Sequence, residues 1–150
     1  MGISLKTRKM LWGRAGNRCA MPECRRELVV DETETDDAAV VGEEAHIVAR
    51  KTDGARGNDS LPEESRDKYE NLVLLCSVHH KVIDDQENEW TIEKLKELKS
   101  NHEEWVRTTL GGYSSEEQQN DELWASIIEH WQDAAMLEHW EAVVSGLTSD

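Results

Sequence analysis

The sequence predicts an α+β fold: a small mixed core with a helix before it and a helix after it, then a separate helical, acidic tail. Three observations predict it. The run NLVLLCSVHHKVID over residues 71–84 reads as a short, fully apolar strand (72–75) that passes straight into a helix at Cys76. Apolar residues recur at helical spacing upstream, at Leu5, Met10, Leu11 and Ala15, and downstream, at Ile92, Leu95, Leu98, Trp105 and Val106. Charge is divided unevenly: residues 1–26 hold seven Lys/Arg against one acid, Glu23, whereas residues 111–150 hold nine acids and no Lys or Arg. Of the net charge of −15, −9 therefore belongs to the tail and −6 to the rest. The expected organisation is a folded domain over 1–110, a linker over 111–120 that opens at Gly111-Gly112, and a tail over 121–150.

Composition narrows the class. With 37% hydrophobic residues and no phenylalanine, the core of these 150 residues must be small and built from Leu, Val, Ile and Trp. Uniform acidity would argue against nucleic-acid binding, because phosphates dominate that affinity, but the basic N-terminal segment removes the objection. Three cysteines, an odd number, suit a disulfide framework poorly. No signal segment and no apolar run of membrane-spanning length is present. The expectation is a cytoplasmic chain without membrane association, whose reduced cysteines are metal ligands.

Taken in order, Ser4 is placed to cap a first helix ending near Gly16, whose frequent basic residues form either a solvated face or a phosphate-contacting one. Cys19 and Cys24 follow as a C-x4-C knuckle with Pro22 inside it. Alone the pair is a weak signal; with Cys76-x2-His79 it completes a Cys3His set, the tetrahedral ligand chemistry of a structural zinc. Cys76 and His79 lie one helical turn apart and can point at one metal. His80, rotated by roughly 100° more, faces a different neighbour. A closed site of this kind staples a domain too small to hold itself together.

Residues 28–30 read as a short strand, 31–37 as a solvated acidic loop, and 38–49 as a strand on which Glu44 and His46 share one face and Ala45 and Ile47 the other. Residues 50–70 form a long connection that reads as too polar to be buried; its Arg50, Lys51, Arg56, Arg66 and Lys68 either line a phosphate track or are simply solvated. Thr91 is placed to cap the second flanking helix, with Glu93 in its first turn, and His102 on that helix is expected to be exposed. In the tail, Leu123, Trp124, Ile127, Ile128, Trp131, Ala134, Ala135, Leu137 and Trp140 make an apolar stripe under an acidic face. Such a stripe packs back on the domain or enters a partner's groove, and a protein partner or homo-oligomer contact through 121–144 is the expectation. His130 and His139 are expected on the surface.

Three separated motifs give the arrangement a family likeness. Glu44-Ala-His46-Ile, Asn71-Leu-x-Leu-Leu-Cys76 and His79-His80-Lys-x-Ile-Asp84 together resemble the HNH, or ββα-metal, nuclease family. The Cys19/Cys24 knuckle before them, and Trp90-Thr-x-Glu-x-Leu through His102-Glu-Glu-Trp105 after them, are similar to small bacterial HNH modules. The resemblance spans about residues 5–108 and leaves the tail outside. It implies a ββα-metal core and a metal-dependent DNA endonuclease. His46 takes the place of the general base that activates water, Asn71 that of the asparagine that orders the loop and orients the base, and His80 that of a ligand to a catalytic divalent cation (Mg²⁺, Mn²⁺ or Ni²⁺). In many members an aspartate or histidine directly before the first histidine completes that cation site. Here the position is Ala45, and Glu44, on the same strand face as His46, is the expected substitute. His79 stands where zinc-bearing members carry the second cysteine of a C-x2-C. Arg50, Lys51, Arg56 and Lys81 are the expected contacts to the DNA backbone. Modules of this kind resemble those attached to anti-phage systems, including CRISPR surveillance complexes, so an effector in antiviral defence or restriction is implied. The alternative, motivated by Ala45 and by the net charge, is a non-catalytic zinc-stabilised module that binds DNA or protein. In a third reading the acidic tail is autoinhibitory, covering the basic first helix and the knuckle until displaced.

Overall fold

The computed structural model describes residues 2–111 and 119–130. Helix α1 (Leu5–Ala15) starts where Ser4 Oγ accepts the Thr7 N–H at 3.1 Å and stops at Gly16, whose φ of 62° is the left-handed C-cap. Gly16 also sits tightly on the second flanking helix: a Cβ there would lie 3.1 Å from a Val106 methyl. Leu11 and Ala15 are the buried residues of α1, so the helix presents one narrow apolar edge to the core and leaves the rest of its surface to solvent.

The knuckle is a tight turn in which Cys24 N–H donates to Met21 O at 2.9 Å and Cys19 N–H to Arg26 O at 3.1 Å. Two-residue strands β1 (Val29–Val30) and β2 (Ala39–Val40) pair antiparallel around the acidic loop. Residues 38–49 are therefore not one strand, and the reason is Val41. Its N–H donates back to Leu28 O at 2.8 Å, while its carbonyl accepts the Ser77 N–H at 3.2 Å, so the chain changes sheets there. Gly42 makes the change possible, since a Cβ would lie 2.6 Å from the Trp12 ring and 2.8 Å from Leu28 Cβ.

Strand β3 (Gly42–His46) then pairs antiparallel with β4 (Leu72–Cys76), in a register running from Gly42 opposite Cys76 to His46 opposite Leu72. All five residues of β4 are buried, which is why its sequence is continuously apolar rather than alternating. The chain passes from β4 directly into α2 (Ser77–Asp85), and α3 (Ile92–Leu110) closes the domain, with Lys94 N–H donating to Thr91 Oγ1 at 3.3 Å as the cap. One core joins Leu11, Leu28, Ala45, Ile47, the whole of β4, Ile83, Leu95 and Leu98. Among the described residues the architecture is mixed α+β, with small antiparallel sheets and four α-helices, the fourth being α4 over residues 119–130.

Two expectations are corrected here. His102 is not exposed: it is 2% accessible, and its Nε2–H donates to Ala15 O at 2.9 Å, tying α3 to the end of α1. Residues 50–70 are not excluded from the interior either, because Arg56 and Arg66 are both buried. Arg66 donates to four carbonyls, those of Leu61, Ala49, Gly57 and Asp59, at 2.8–3.1 Å. A guanidinium of fixed planar geometry organises a loop in the way strand pairing organises a sheet, by satisfying backbone acceptors that would otherwise be buried unpaired.

Residues 1–110 and 111–150 form two separate compact units. In the second, α4 exposes Leu123, Trp124, Ile127 and Ile128. The remainder of the expected stripe (Trp131, Ala134, Ala135, Leu137 and Trp140), His139 and linker residues 112–118 lie outside the described residues. Among the described residues, no helix is long and apolar enough to cross a membrane.

Candidate metal centre and catalytic hairpin

The knuckle turn, the end of β4 and the first turn of α2 bring Cys19, Cys24, Cys76 and His79 together, with one ligand atom of each inside 4.8 Å of the others. His79 Nδ1 is 3.2 Å from Cys76 Sγ and 3.6 Å from Cys19 Sγ. Metal–sulfur and metal–nitrogen bonds of about 2.3 and 2.0 Å at tetrahedral angles give an S···N separation of about 3.5 Å, so the donors are already spaced for a shared ion. Cys76 is also the N-cap of α2, accepting the His79 N–H, so one atom ends the strand, starts the helix and faces the cluster. Burial pushes the Cys19 thiol up to about 12. Cys76 is shifted the other way: burial raises it, but the hydrogen bonds of the His79 N–H and the neighbouring thiols outweigh that and lower it. Packing three thiols this closely without a cation is unfavourable, and a soft divalent ion is the group that resolves it.

The second cluster lies on the β3–β4 hairpin and its helix. Asn71, 5% exposed, locks the loop end of the hairpin: its Nδ2 donates to Val48 O and Arg66 O at 2.8 Å each, and its Oδ1 accepts the Val48 N–H at 2.9 Å. Every hydrogen bond it makes reaches backbone just beyond His46 or just before Asn71 itself. His46, at the end of β3, has Nε2 2.8 Å from Asp67 Oδ1, while Asp67 Oδ2 is 2.9 Å from Arg50. An ionised carboxylate only accepts, so Nε2 carries the proton and Nδ1 is left with the lone pair.

His80 is flanked by carboxylates on both ring nitrogens. Its Nδ1 is 2.5 Å from Glu43 Oε2, and its Nε2 is 3.3 Å from Asp84 Oδ2, one turn further along α2. The hydrogen bond to Asp84, with a further one to Glu43, raises its pKa against the opposing effect of burial. Burial alone would raise the Asp84 carboxyl, but His80 and Arg56 hold it below its ordinary value.

The Glu44 expectation is corrected by this geometry. Its carboxylate is occupied by Arg8 Nε at 2.8 Å and by the Trp12 indole N–H at 3.3 Å, because position 44 points to the α1 side of the hairpin. The carboxylates that face His80 are Glu43 and Asp84. The Arg56 expectation is corrected too. Its side chain is 5% exposed and all five N–H groups are spent inside the protein: Nε on Ile47 O, one terminal nitrogen on Ile83 O and Trp90 O, and the other on His46 O and Asp84 Oδ1. It cannot reach a phosphate. It ties the strand bearing His46 to the helix bearing His80, from a left-handed backbone (φ 57°) made room for by Gly57, where a Cβ would lie 2.3 Å from Lys51 O. Of the other expected backbone contacts, Arg50 is half exposed beside Asp67, Lys81 pairs with Asp85 at 2.9 Å in solvent, and Lys51 is exposed.

Asp84 had a signal in the sequence, since a carboxylate four residues after a histidine shares its helix face. Glu43 and Asp67 had none: each is one acid among many until the hairpin and the 50–70 loop are folded.

An antiparallel hairpin running into a helix, with histidines at its two ends, an asparagine locking its loop end and a Cys3His cluster at the helix start, defines a ββα-metal module. The family model for HNH endonuclease matches residues 24–87. The match contains His46, Asn71, His79 and His80, together with Glu43, Asp67 and Asp84, but leaves Cys19, α1 and α3 outside. No curated protein matches the chain.

Proposed function

We propose that this chain is a metal-dependent endonuclease that hydrolyses DNA phosphodiester bonds with His46 as general base. The observation that carries the reading is the His46–Asp67 contact of 2.8 Å on the locked hairpin. Asp67 holds the ring by Nε2–H, so Nδ1 takes the proton from an attacking water, and the carboxylate stabilises the imidazolium that results. Asn71 keeps the backbone that follows His46 from moving as that charge forms. Glu43, His80 and Asp84 would hold a divalent cation, Mg²⁺, Mn²⁺ or Ni²⁺, which when bound would neutralise charge developing on the phosphate and the leaving oxygen. The Cys3His cluster would hold a structural zinc, with no position open to substrate.

Plasmid cleavage by the purified chain with each of the three cations, beside His46→Ala, is the test. Nicking or linearisation that needs the cation and vanishes in the variant, with zinc retained, is the expected result. A second reading, a zinc-stabilised module that binds without cutting, is favoured by Ala45, which is fully buried and offers no ligand where many family members have one. Absence of cleavage with every cation selects it. An effector role in anti-phage defence or restriction is the cellular reading; equal phage plating on cells carrying the wild-type and His46→Ala chains would refute it. The exposed Leu123, Trp124, Ile127 and Ile128 support a protein contact through the tail, which a pull-down with residues 113–150 removed should abolish.

A further inference from the structure

Helix α1 plays no part in the chemistry above, yet it concentrates positive charge as no other segment of this acidic chain does. Its eleven residues include Lys6, Arg8, Lys9 and Arg14 and no acid. Lys6 and Lys9 are exposed, and with Gly13 they share one outward face at i, i+3 and i+7. On the adjacent flank Arg8 and Trp12, one turn apart, form a wall of an open groove of about 700 Å³ whose other side includes Glu43 and His80. Arg8 is held on that wall by Glu44 while its side chain stays 52% exposed.

Gly13 is the second observation. A glycine inside a helix is unfavourable relative to alanine, and nothing inside the fold requires this one: a Cβ there would meet no atom within 4 Å. Its φ is ordinary for a helix, since it is not among the residues with positive φ. What the glycine does provide is a stretch of outward helix surface with no side chain, with the two ammonium groups on its N-terminal side. That shape and charge suit a phosphodiester backbone lying close against the helix.

We propose that the Lys6–Lys9–Gly13 face of α1 docks the backbone of duplex DNA and leads one strand into the groove at His80. The inference rests on the nuclease reading and adds a binding surface to it. Bound DNA places phosphates over Lys6 and Lys9, and their neutralisation releases counterions.

The test is fluorescence anisotropy of a labelled duplex with the full chain in a His46→Ala background, over a range of salt. Lys6→Gln with Lys9→Gln is expected to weaken binding about tenfold and to reduce the slope of log affinity against log salt by about two. Gly13→Leu, which changes no charge, is expected to weaken binding while raising Tm. Arg107→Gln, which removes an exposed charge on α3, is expected to leave the slope unchanged. All of these positions are exposed, so the variants keep the fold and the metal cluster. Unchanged affinity in the double lysine variant or in Gly13→Leu overturns the proposal alone, provided that the background chain binds. Failure of the background chain to bind duplex DNA at any salt overturns the nuclease reading along with it.

Discussion

Asp67 is the residue on which the proposed chemistry turns. Asp67→Asn keeps the size of the side chain but exchanges an obligatory acceptor for a group that also donates, so the ring of His46 is no longer restricted to the tautomer with a free Nδ1. Cleavage is expected to fall by about 10²–10⁴-fold, as for other base-orienting carboxylates, with zinc content and Tm little changed. Steady-state nicking assays beside metal analysis check this, and a loss of less than threefold would remove Asp67 from the mechanism. Arg56 makes the contrasting case. Lysine at 56 keeps the charge but supplies three donors from one point, whereas the five acceptors around Arg56 are spread over the end of one strand, a helix and a turn. Unsatisfied buried carbonyls cost about 1–3 kcal/mol each. Arg56→Lys is therefore expected to destabilise the domain by several kcal/mol in denaturant titrations, and an unchanged midpoint would show that water replaces the guanidinium without penalty.

Among the elements, α3 carries the pH dependence that can be assigned. His102 sits between α3 and α1 with its Nε2–H on Ala15 O and its ring 5.7 Å from that of Trp105, and Nδ1 has no partner. Burial, helped by the charge of Arg25, lowers its pKa below the ordinary value. The unfolded chain thus binds a proton at His102 over a range of pH in which the folded chain does not. Stability from this group is complete above about pH 6.5 and is lost as the pH falls below it. Tm measured with excess zinc is expected to fall from pH 7.5 to 5.5, and to fall less steeply in His102→Gln, which retains a donor for Ala15 O. Equal slopes in the two proteins would mean that the ring is protonated in place. The hairpin and α2 show how elements divide the labour: β4 is buried whole and anchors the module, while β3 buries only Ala45, placing Glu43 toward His80 and Glu44 toward Arg8 and Trp12.

For the whole molecule, the Cys3His cluster adds a joint between parts that the core and the Ala20 N–H to Leu74 O bond already hold together. It links the knuckle after α1 to the β4–α2 junction across 60 residues, in a domain whose core is small. A structural metal held there would contribute a large share of the folding free energy. Cys19→Ser or Cys76→Ser, or a strong chelator, is expected to abolish the cooperative unfolding transition seen by circular dichroism, whereas His46→Ala keeps it. Loss of zinc from His46→Ala would show that the two sites are not separate.

The sequence by itself determined the helices, the buried strand β4 and the four residues of the Cys3His cluster. Helix caps at Ser4, Gly16 and Thr91, the uninterrupted apolar run of β4 and the Cys76-x2-His79 spacing are local signals, and local backbone physics reads them directly. It also carried the family likeness, because the HNH motif residues cluster in short stretches. What only the tertiary structure decided is which charges meet. Glu43 and not Glu44 faces His80, because β3 starts afresh at Gly42, where the chain has changed sheets at Val41. Asp67 reaches His46 and Arg56 turns inward because a folded loop offers backbone carbonyls that no periodicity announces. His102 is buried for the same kind of reason: a ring that can donate to a helix-end carbonyl is worth more inside than a composition-based expectation allows. Charge and polarity along a chain state what a side chain can do, and only the assembled backbone supplies the partner that makes it do so.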